Sequence, residues 1–438
     1  MWSHLRKLPW QPLIPEHRPD FALLRRLEPA GRELVALSGE GWERGRYSVV
    51  GPGANSVAIE SAEHARFVLD ARREKIRVVA FGYELGRTFV ELPMREAPGD
   101  QPLGIVIELD AALVVDHRDA CWTVVGEREA ALHLAMLSSA TNSPSPRYRR
   151  EALFFDLGTR QAHESNIRTA KHYIRQGEIY QANVTRVIRV EGLSNGVEAH
   201  IALAAHNPVA HGCYLRAQGI ELVSNSMETL LTFEPDSRTL ASFPIKGTRA
   251  RSSPSDDAVQ AAKRLQADAK ERAEHVMIVD LVRNDLGRVC EIGTVKVPHL
   301  MRVEGYRGVW HGVSRVEGRL RADASLGDAV AAVFPGGSIT GAPKRRAVEL
   351  LSGIEALPRG FYTGSVGLLG PEGELSMSIL IRTLIRDSRG WTLGVGGGIV
   401  ADSDAAREYE ETETKTRVFR EVLGSRTSSA SKQNTNSA

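Results

Sequence analysis

Two acidic pairs are the residues whose type and spacing most directly imply chemistry in this chain. Glu271 and Glu274 are three positions apart, as are Glu408 and Glu411, and each pair lies in a stretch that reads as helix. Residues three apart on a helix share a face, so each pair presents two carboxylates together. Glu274 stands just before the apolar run Val276-Met277-Ile278-Val279, and Glu411 follows a glycine-rich strand, positions that point to a packed interior or cleft. Two carboxylates about 4 Å apart repel by roughly 4 kcal/mol at an effective dielectric of about 20. Such a cluster calls for a cation, and oxygen donors without an imidazole cage favour hard Mg2+ over zinc.

Two glycine-rich segments imitate phosphate-binding loops. Gly336-Gly337-Ser338-Ile339-Thr340-Gly341 has the front of a P-loop, but Ala342 and Pro343 stand where its lysine should follow, and Lys344 arrives two places late. Its backbone N–H groups and the helix start behind it suit a carboxylate as well as a phosphate. Gly394-Val395-Gly396-Gly397-Gly398 lacks the third glycine of a dinucleotide fingerprint, Ile399 standing in its place. It reads either as a bulged strand or as a close backbone approach to a ligand.

The elements that must position these groups follow from periodicity and punctuation. A long helix is expected over about 256–286, capped by Ser255-Asp256-Asp257, with an apolar stripe through Ala262, Leu265, Ala269, Ala273, Val276 and Met277. A second should start near Pro343 and run to about Leu351, with Gly353 ending it, and a third should span about 404–423. Strands are expected at 361–369, 376–385 and 391–400, and the region before 140 mixes short strands (Tyr47–Val50, Leu113–Val115) with a helix at 127–138. The pattern is α+β with mainly antiparallel sheet. Thr141 to Pro146 looks like a linker, and the polar tail 425–438 cannot bury a core and is expected to be disordered.

Composition excludes several classes of function. The 438 residues are 42% hydrophobic and 25% charged, ordinary globular material, and 56 basic against 54 acidic residues give a net charge of +2. No electrostatic footprint for nucleic acid or an anionic membrane stands out. Cys121, Cys213 and Cys290 lie far apart, which argues against a disulfide framework or structural zinc. Prolines and charges interrupt the first residues where a signal peptide needs an apolar stretch, and no later run reaches about 18 apolar residues. A cytoplasmic protein is expected.

The motifs in order resemble the chorismate-utilising enzymes, the family of anthranilate synthase component I, the isochorismate and salicylate synthases and the aminodeoxychorismate synthases. The resemblance rests on Gly177–Asn183 (GEIYQAN), Pro244–Thr248 (PIKGT), Arg272–Asp285 (RAEHVMIVDLVRND), Phe334–Lys344 (FPGGSITGAPK) and Gly396–Ser403 (GGGIVADS), spread over about 160–424. It implies two orthogonally packed antiparallel β-sheets flanked by helices, a four-layer αββα arrangement with the active site in a cleft. It also implies that residues 1–150 complete the same sandwich as the chorismate-binding catalytic region 151–424, which overrides the linker reading. Phe81–Arg87 (FGYELGR) is similar to an N-terminal signature of the aminodeoxychorismate branch.

Within that resemblance Lys246 separates the branches, because anthranilate and isochorismate enzymes usually carry Ala there. The implied reaction converts chorismate and ammonia to 4-amino-4-deoxychorismate for 4-aminobenzoate and folate. The lysine amine adds at C2 as the 4-hydroxyl leaves, then ammonia adds at C4 and expels the lysine. A lysine with the reference pKa near 10.4 is only about 0.04% neutral at pH 7, so lowering it to about 7 requires roughly 4.6 kcal/mol of environmental bias. Glu228 lines up with the general acid, although Met227 stands where relatives generally have Pro. Glu274 and Glu411 match metal-ligand positions, supported by Glu271 and Glu408, with Mg2+ holding the ring carboxylate. Arg382 should meet the enolpyruvyl carboxylate, with Tyr362, Gly396, Gly397, Gly398 and Lys415 as neighbours and His311 and Thr340 also in the cleft.

None of the three cysteines lies in a Gly-x-Cys-x-Gly nucleophile elbow, so ammonia is expected from a separate glutamine amidotransferase subunit, and pyruvate release is expected to fall to another enzyme. The alternatives are anthranilate or isochorismate synthesis, or a catalytically silent regulatory subunit that keeps the fold.

Overall fold

A computed structural model describes residues 7–13, 18–39, 47–71, 74–139, 150–250, 269–306 and 309–424. The linker-like stretch Thr141–Pro146, the tail 425–438 and the first part of the expected long helix, with its cap Ser255-Asp256-Asp257 and stripe residues Ala262 and Leu265, lie outside the described residues.

The fold is α+β. Two antiparallel sheets, one of 12 strands and one of 10 among the described residues, each take strands from before residue 127 and from after residue 150. The larger sheet runs from Gln11–Pro12 through the central neighbours Leu34–Ser38, His211–Ala217 and Ile220–Ser226 to Thr383–Asp387, Gly390–Ile399 and Gln181–Glu191. The smaller runs from Ile245–Ala250 through Val309–Arg319, Thr239–Phe243, Thr229–Glu234 and Leu375–Ile379 to Ser365–Leu369 and Ile76–Phe81.

Three apolar clusters order the layers. Between the sheets, Val35, Leu37, Cys213 and Leu215 of one meet Val78, Ile105, Val366 and Leu368 of the other. Because both faces of each sheet are covered, many strands read as continuous apolar runs, as Leu34–Ser38 and Ile76–Phe81 do. On its far side the larger sheet packs against helices through Leu24, Leu134, Leu203 and Phe419. The smaller packs against Val68, Val279 and Ala329 of three others. Each fully buried Leu, Val or Phe of this kind contributes about 1.5–3 kcal/mol over leaving it exposed. No helix among the described residues is long and apolar enough to cross a membrane.

Several local expectations need correction. The helix Ala269–Gly287 buries His275, Ile278, Val279, Val282 and Leu286, while Ala273 and Val276 of the expected stripe face solvent. The true stripe was hidden because it contains a polar member, His275, whose Nε2 meets the Ser314 hydroxyl. The helix after Pro343 runs through Gly353 to Ile354 and stops where Glu355 turns extended. Residues 361–364 form a turn instead of strand, and 376–385 is two strands in different sheets. Gly394–Gly398 is not bulged, since Gly390–Ile399 pairs without a register shift from Ala182↔Ile399 to Val190↔Trp391.

Candidate active site

Two of the points where the chain passes from one sheet to the other are neighbours. Ile220–Ser226 belongs to the larger sheet and Thr229–Glu234 to the smaller, so Met227 and Glu228 form one crossing. Leu375–Ile379 returns to Thr383–Asp387 through Leu380, Ile381 and Arg382, the other crossing. The two are tied together, Ile379 N donating to Glu228 O (3.0 Å) and Asn225 N to Arg382 O (2.9 Å). Arg382 has φ +51, uncommon for a residue with a side chain. Burial lowers its pKa, and among the described residues its guanidinium has no ion-pair or hydrogen-bond partner. The residue is half-buried, and the planar fork of a guanidinium suits a carboxylate.

Glu228 is buried, and Met227 beside it packs into the interior, so the missing proline does not turn the carboxylate outward. Its Oε1 accepts a hydrogen bond from Ser338 Oγ (2.6 Å). Burial raises the Glu228 pKa, opposed by the Ser338 hydroxyl and by the charges of Lys246 and Lys415. A carboxyl pushed upward in this way holds its proton closer to neutral pH, as a general acid must.

Opposite these groups lies a strand pair with an unusual face. Gln181, Asn183 and Thr185 alternate with Ala182 and Val184, which pack into a separate apolar cluster. Asn183 pairs with Gly398, Thr185 with Gly396 and Val187 with Gly394, so three glycines share the polar face. The gaps are filled. A Cβ at Gly394 would lie 2.1 Å from the Tyr362 ring, and one at Gly398 would lie 3.1 Å from Gln181 Nε2 and 3.3 Å from Lys246 Nζ. Glycine is therefore required for space, not for backbone freedom. Tyr362 belongs to the core between the sheets. Gln181 is fully buried, and among the described residues neither of its amide atoms is hydrogen-bonded, a costly state unless a ligand satisfies it.

Lys246 reaches this face because the strand Ile245–Ala250 shifts register between Lys246, opposite Gly312, and Thr248, opposite His311. Its Nζ lies 3.8 Å from Glu274 Oε2. His311 is buried in the neighbouring strand, and Thr340, also buried, donates its hydroxyl to Gly336 O (2.8 Å), bracing its own loop.

The helix Ala405–Leu423, capped by Asp404, brings in the second acidic pair. Lys415 Nζ donates to Gly396 O (2.7 Å) and pairs with Glu411 Oε1 (2.9 Å). Glu408 Oε2 lies 3.2 Å from where a Cβ of Gly397 would be, on the opposite face of the strand from Gly398. Glu271 is half-buried one helix turn before Glu274. The donor set, all carboxylate oxygen, has the chemistry for a hard divalent cation. Among the described residues, no three such groups converge into a closed cage. Glu274 and Glu411 are neutralised by lysines.

Of the residues named from the sequence, Lys246 lies near enough to Glu228 for its charge to act on the carboxyl, and the crossing that carries Arg382 is tied by main-chain bonds to that of Glu228. The motif search missed Gln181 and Ser338, although both lie within the recognised motifs. The legible signal was a strand, Gln181–Thr185, polar at every second position while its other face is apolar.

A sequence profile of the family described as chorismate binding enzyme matches residues 43–421. Anthranilate synthase component 1 1 of Haloarcula marismortui is 46% identical over 296 residues, 67% of this chain and 60% of the relative. Aminodeoxychorismate synthase component 1 of Escherichia coli is 36% identical over 337 residues, 76% of this chain and 73% of the relative. The chain spans 60 to 62% of the length of the two Haloarcula relatives that it matches. The crystal structure of anthranilate synthase component I from Streptococcus pneumoniae superposes with a TM-score of 0.73 at 25% identity, covering 89% of this chain and 92% of that one.

Proposed function

This chain belongs to the chorismate binding enzyme family, and we propose that within it the reaction is addition of ammonia to chorismate, giving 4-amino-4-deoxychorismate. The observation that carries this reading is the placement of Lys246. Its amine lies on the glycine face beside the Gln181 amide, near enough to the Glu228 carboxyl to act on its charge. Relatives of both the anthranilate and the aminodeoxychorismate type match this chain, so overall similarity does not choose the branch, and the reading rests on the lysine.

In this reading Arg382 takes the enolpyruvyl carboxylate in its planar fork. Lys246 Nζ adds at C2 as the ring double bond shifts and the C4–O bond breaks. Glu228 gives its proton to the leaving oxygen, so that water departs. Ammonia then adds at C4, the double bond shifts back, and the C2–N bond to Lys246 breaks. Glu228, left as a carboxylate, accepts the proton that the new amine releases. Gln181 supplies one donor pair and one acceptor beside this amine, a place for ammonia or for the substrate ring substituents. Glu274 and Glu411, with Glu271 and Glu408 behind them, would hold Mg2+, which when bound would anchor the ring carboxylate by Lewis-acid contact. Ammonia would come from a glutamine amidotransferase subunit, and the setting would be cytoplasmic folate synthesis.

Product identification tests the reading. Chorismate, Mg2+ and ammonia are incubated with the protein, with and without an added 4-amino-4-deoxychorismate lyase. 4-Aminobenzoate appearing only with the lyase supports it. Direct formation of anthranilate or isochorismate refutes it.

A further inference from the structure

Arg359 and Glu355 form a buried ion pair that none of the steps above uses. Their side chains are 2% and 5% exposed, and the guanidinium is bound in a fork, Nε to Glu355 Oε2 and Nη2 to Oε1, both at 2.8 Å. Its remaining N–H groups reach Ile339 O (2.8 Å), Asn183 O (2.6 Å) and Thr363 Oγ1 (3.3 Å). All five donors of the guanidinium are thus engaged. Glu355 Oε1 also accepts from Thr185 N (3.0 Å) and Thr185 Oγ1 (2.8 Å). Tyr83, from the N-terminal part of the chain, closes one face of the guanidinium with its ring centroid 4.4 Å from Cζ.

Each segment bound by the pair carries a group of the active site. Ile339 follows Ser338, whose hydroxyl holds Glu228. Asn183 and Thr185 are the partners of Gly398 and Gly396 and lie on the face of Gln181. Thr363 follows Tyr362, the ring packed under Gly394. We propose that Arg359, held by Glu355, is the positioning residue of this site, fixing the loop whose Ser338 holds Glu228, the glycine face and the tyrosine turn in one register. Burying an ion pair is a poor way to gain stability, because desolvation offsets most of the attraction. What a planar fork with five directed bonds adds is geometry, and three backbone segments are set by it. Lysine keeps the charge but has no plane, so it cannot hold all three. The inference rests on the proposed reaction only for its kinetic arm.

The test is Arg359→Lys in the full chain, read in two ways. Steady-state kinetics should show kcat with chorismate and ammonia falling by about tenfold or more while KM for chorismate stays within about threefold, since Arg382 is untouched. Hydrogen exchange of the free protein should show faster exchange confined to 181–185, 336–340 and 359–363, with the helices Ala62–Asp70 and Arg128–Ser139 unchanged. Thr185→Val removes one hydroxyl from Glu355 and should reproduce both effects at smaller amplitude, which keeps the inference testable if Arg359→Lys does not fold. An unchanged kcat, or exchange that rises uniformly or not at all, overturns it. If the unmodified protein consumes no chorismate, the proposed reaction fails and the exchange pattern alone decides the positioning role.

Discussion

Replacing Glu84 with Gln should change how stability depends on pH, and the structure sets the size. Glu84 is 1% exposed, and its two oxygens accept from Arg359 N (2.8 Å) and Gly360 N (2.9 Å), capping the turn that leads to Tyr362. Burial raises its pKa from 4.5 to about 7, with those N–H groups and the Arg359 charge opposing the rise. The folded state therefore holds this proton more tightly than the unfolded chain does. The resulting stability is fully present below about pH 4.5 and is lost as pH climbs through about 7. At about 1.4 kcal/mol for each tenfold change in proton affinity the whole effect is about 3 kcal/mol, of which about 2 kcal/mol disappears between about pH 5.5 and 8. Glutamine is neutral throughout. It can accept from one N–H through its oxygen but presents an amide to the other, a loss of about 1–2 kcal/mol. Glu84→Gln should be the less stable protein at about pH 5.5 and should match or exceed the parent at about pH 8. Urea unfolding at the two pH values measures this. A stability difference between the two proteins that moves by less than about 0.5 kcal/mol across that range would refute the buried, proton-holding Glu84.

Three further outcomes follow from the site geometry. Lys246→Met should abolish amination while the protein still melts cooperatively, and mass spectrometry of the parent with chorismate but no ammonia should find an adduct that the variant lacks. Arg382→Lys, which keeps the charge and loses the fork, should raise KM for chorismate by roughly 10- to 100-fold, equivalent to about 1.5–3 kcal/mol of charged hydrogen bonding; a change under about threefold would remove Arg382 from the carboxylate. Gly398→Ala puts a methyl 3.1 Å from Gln181 Nε2 and 3.3 Å from Lys246 Nζ, so kcat should drop by about tenfold with little change in thermal midpoint.

The acidic helix at the C-terminal end was readable because its cap, Asp404, and its spacing are local signals. Ser61, Thr159 and Ser325 cap three further helices in the same way, their side chains accepting the first-turn N–H groups, although none of the three was named from the sequence. The stripe of Ala269–Gly287 was misread since His275 replaces an apolar residue in it, buried and pushed down to about 4 by burial and by Lys246. Nothing local announces that 376–385 divides between sheets, because a chain that changes sheet keeps its apolar alternation on both sides of the break. Gln181 could have been found from the every-second-residue polarity of its strand, but that pattern ordinarily marks a solvated face. Only the packed glycines opposite show that this one is enclosed. The links from Arg359 to Asn183 and Ile339 go to backbone carbonyls far away in sequence, and no residue type records such contacts.

The two neighbouring crossings at Met227-Glu228 and Leu380–Arg382 are like stitches through a seam. Glu228 is in one stitch and Arg382 in the other, and main-chain bonds at 3.0 and 2.9 Å bind the stitches to each other. Those bonds fix the main chain at Glu228 and Arg382 relative to each other, so in the proposed reaction the proton donor and the anion receptor would stand on one shared knot of backbone.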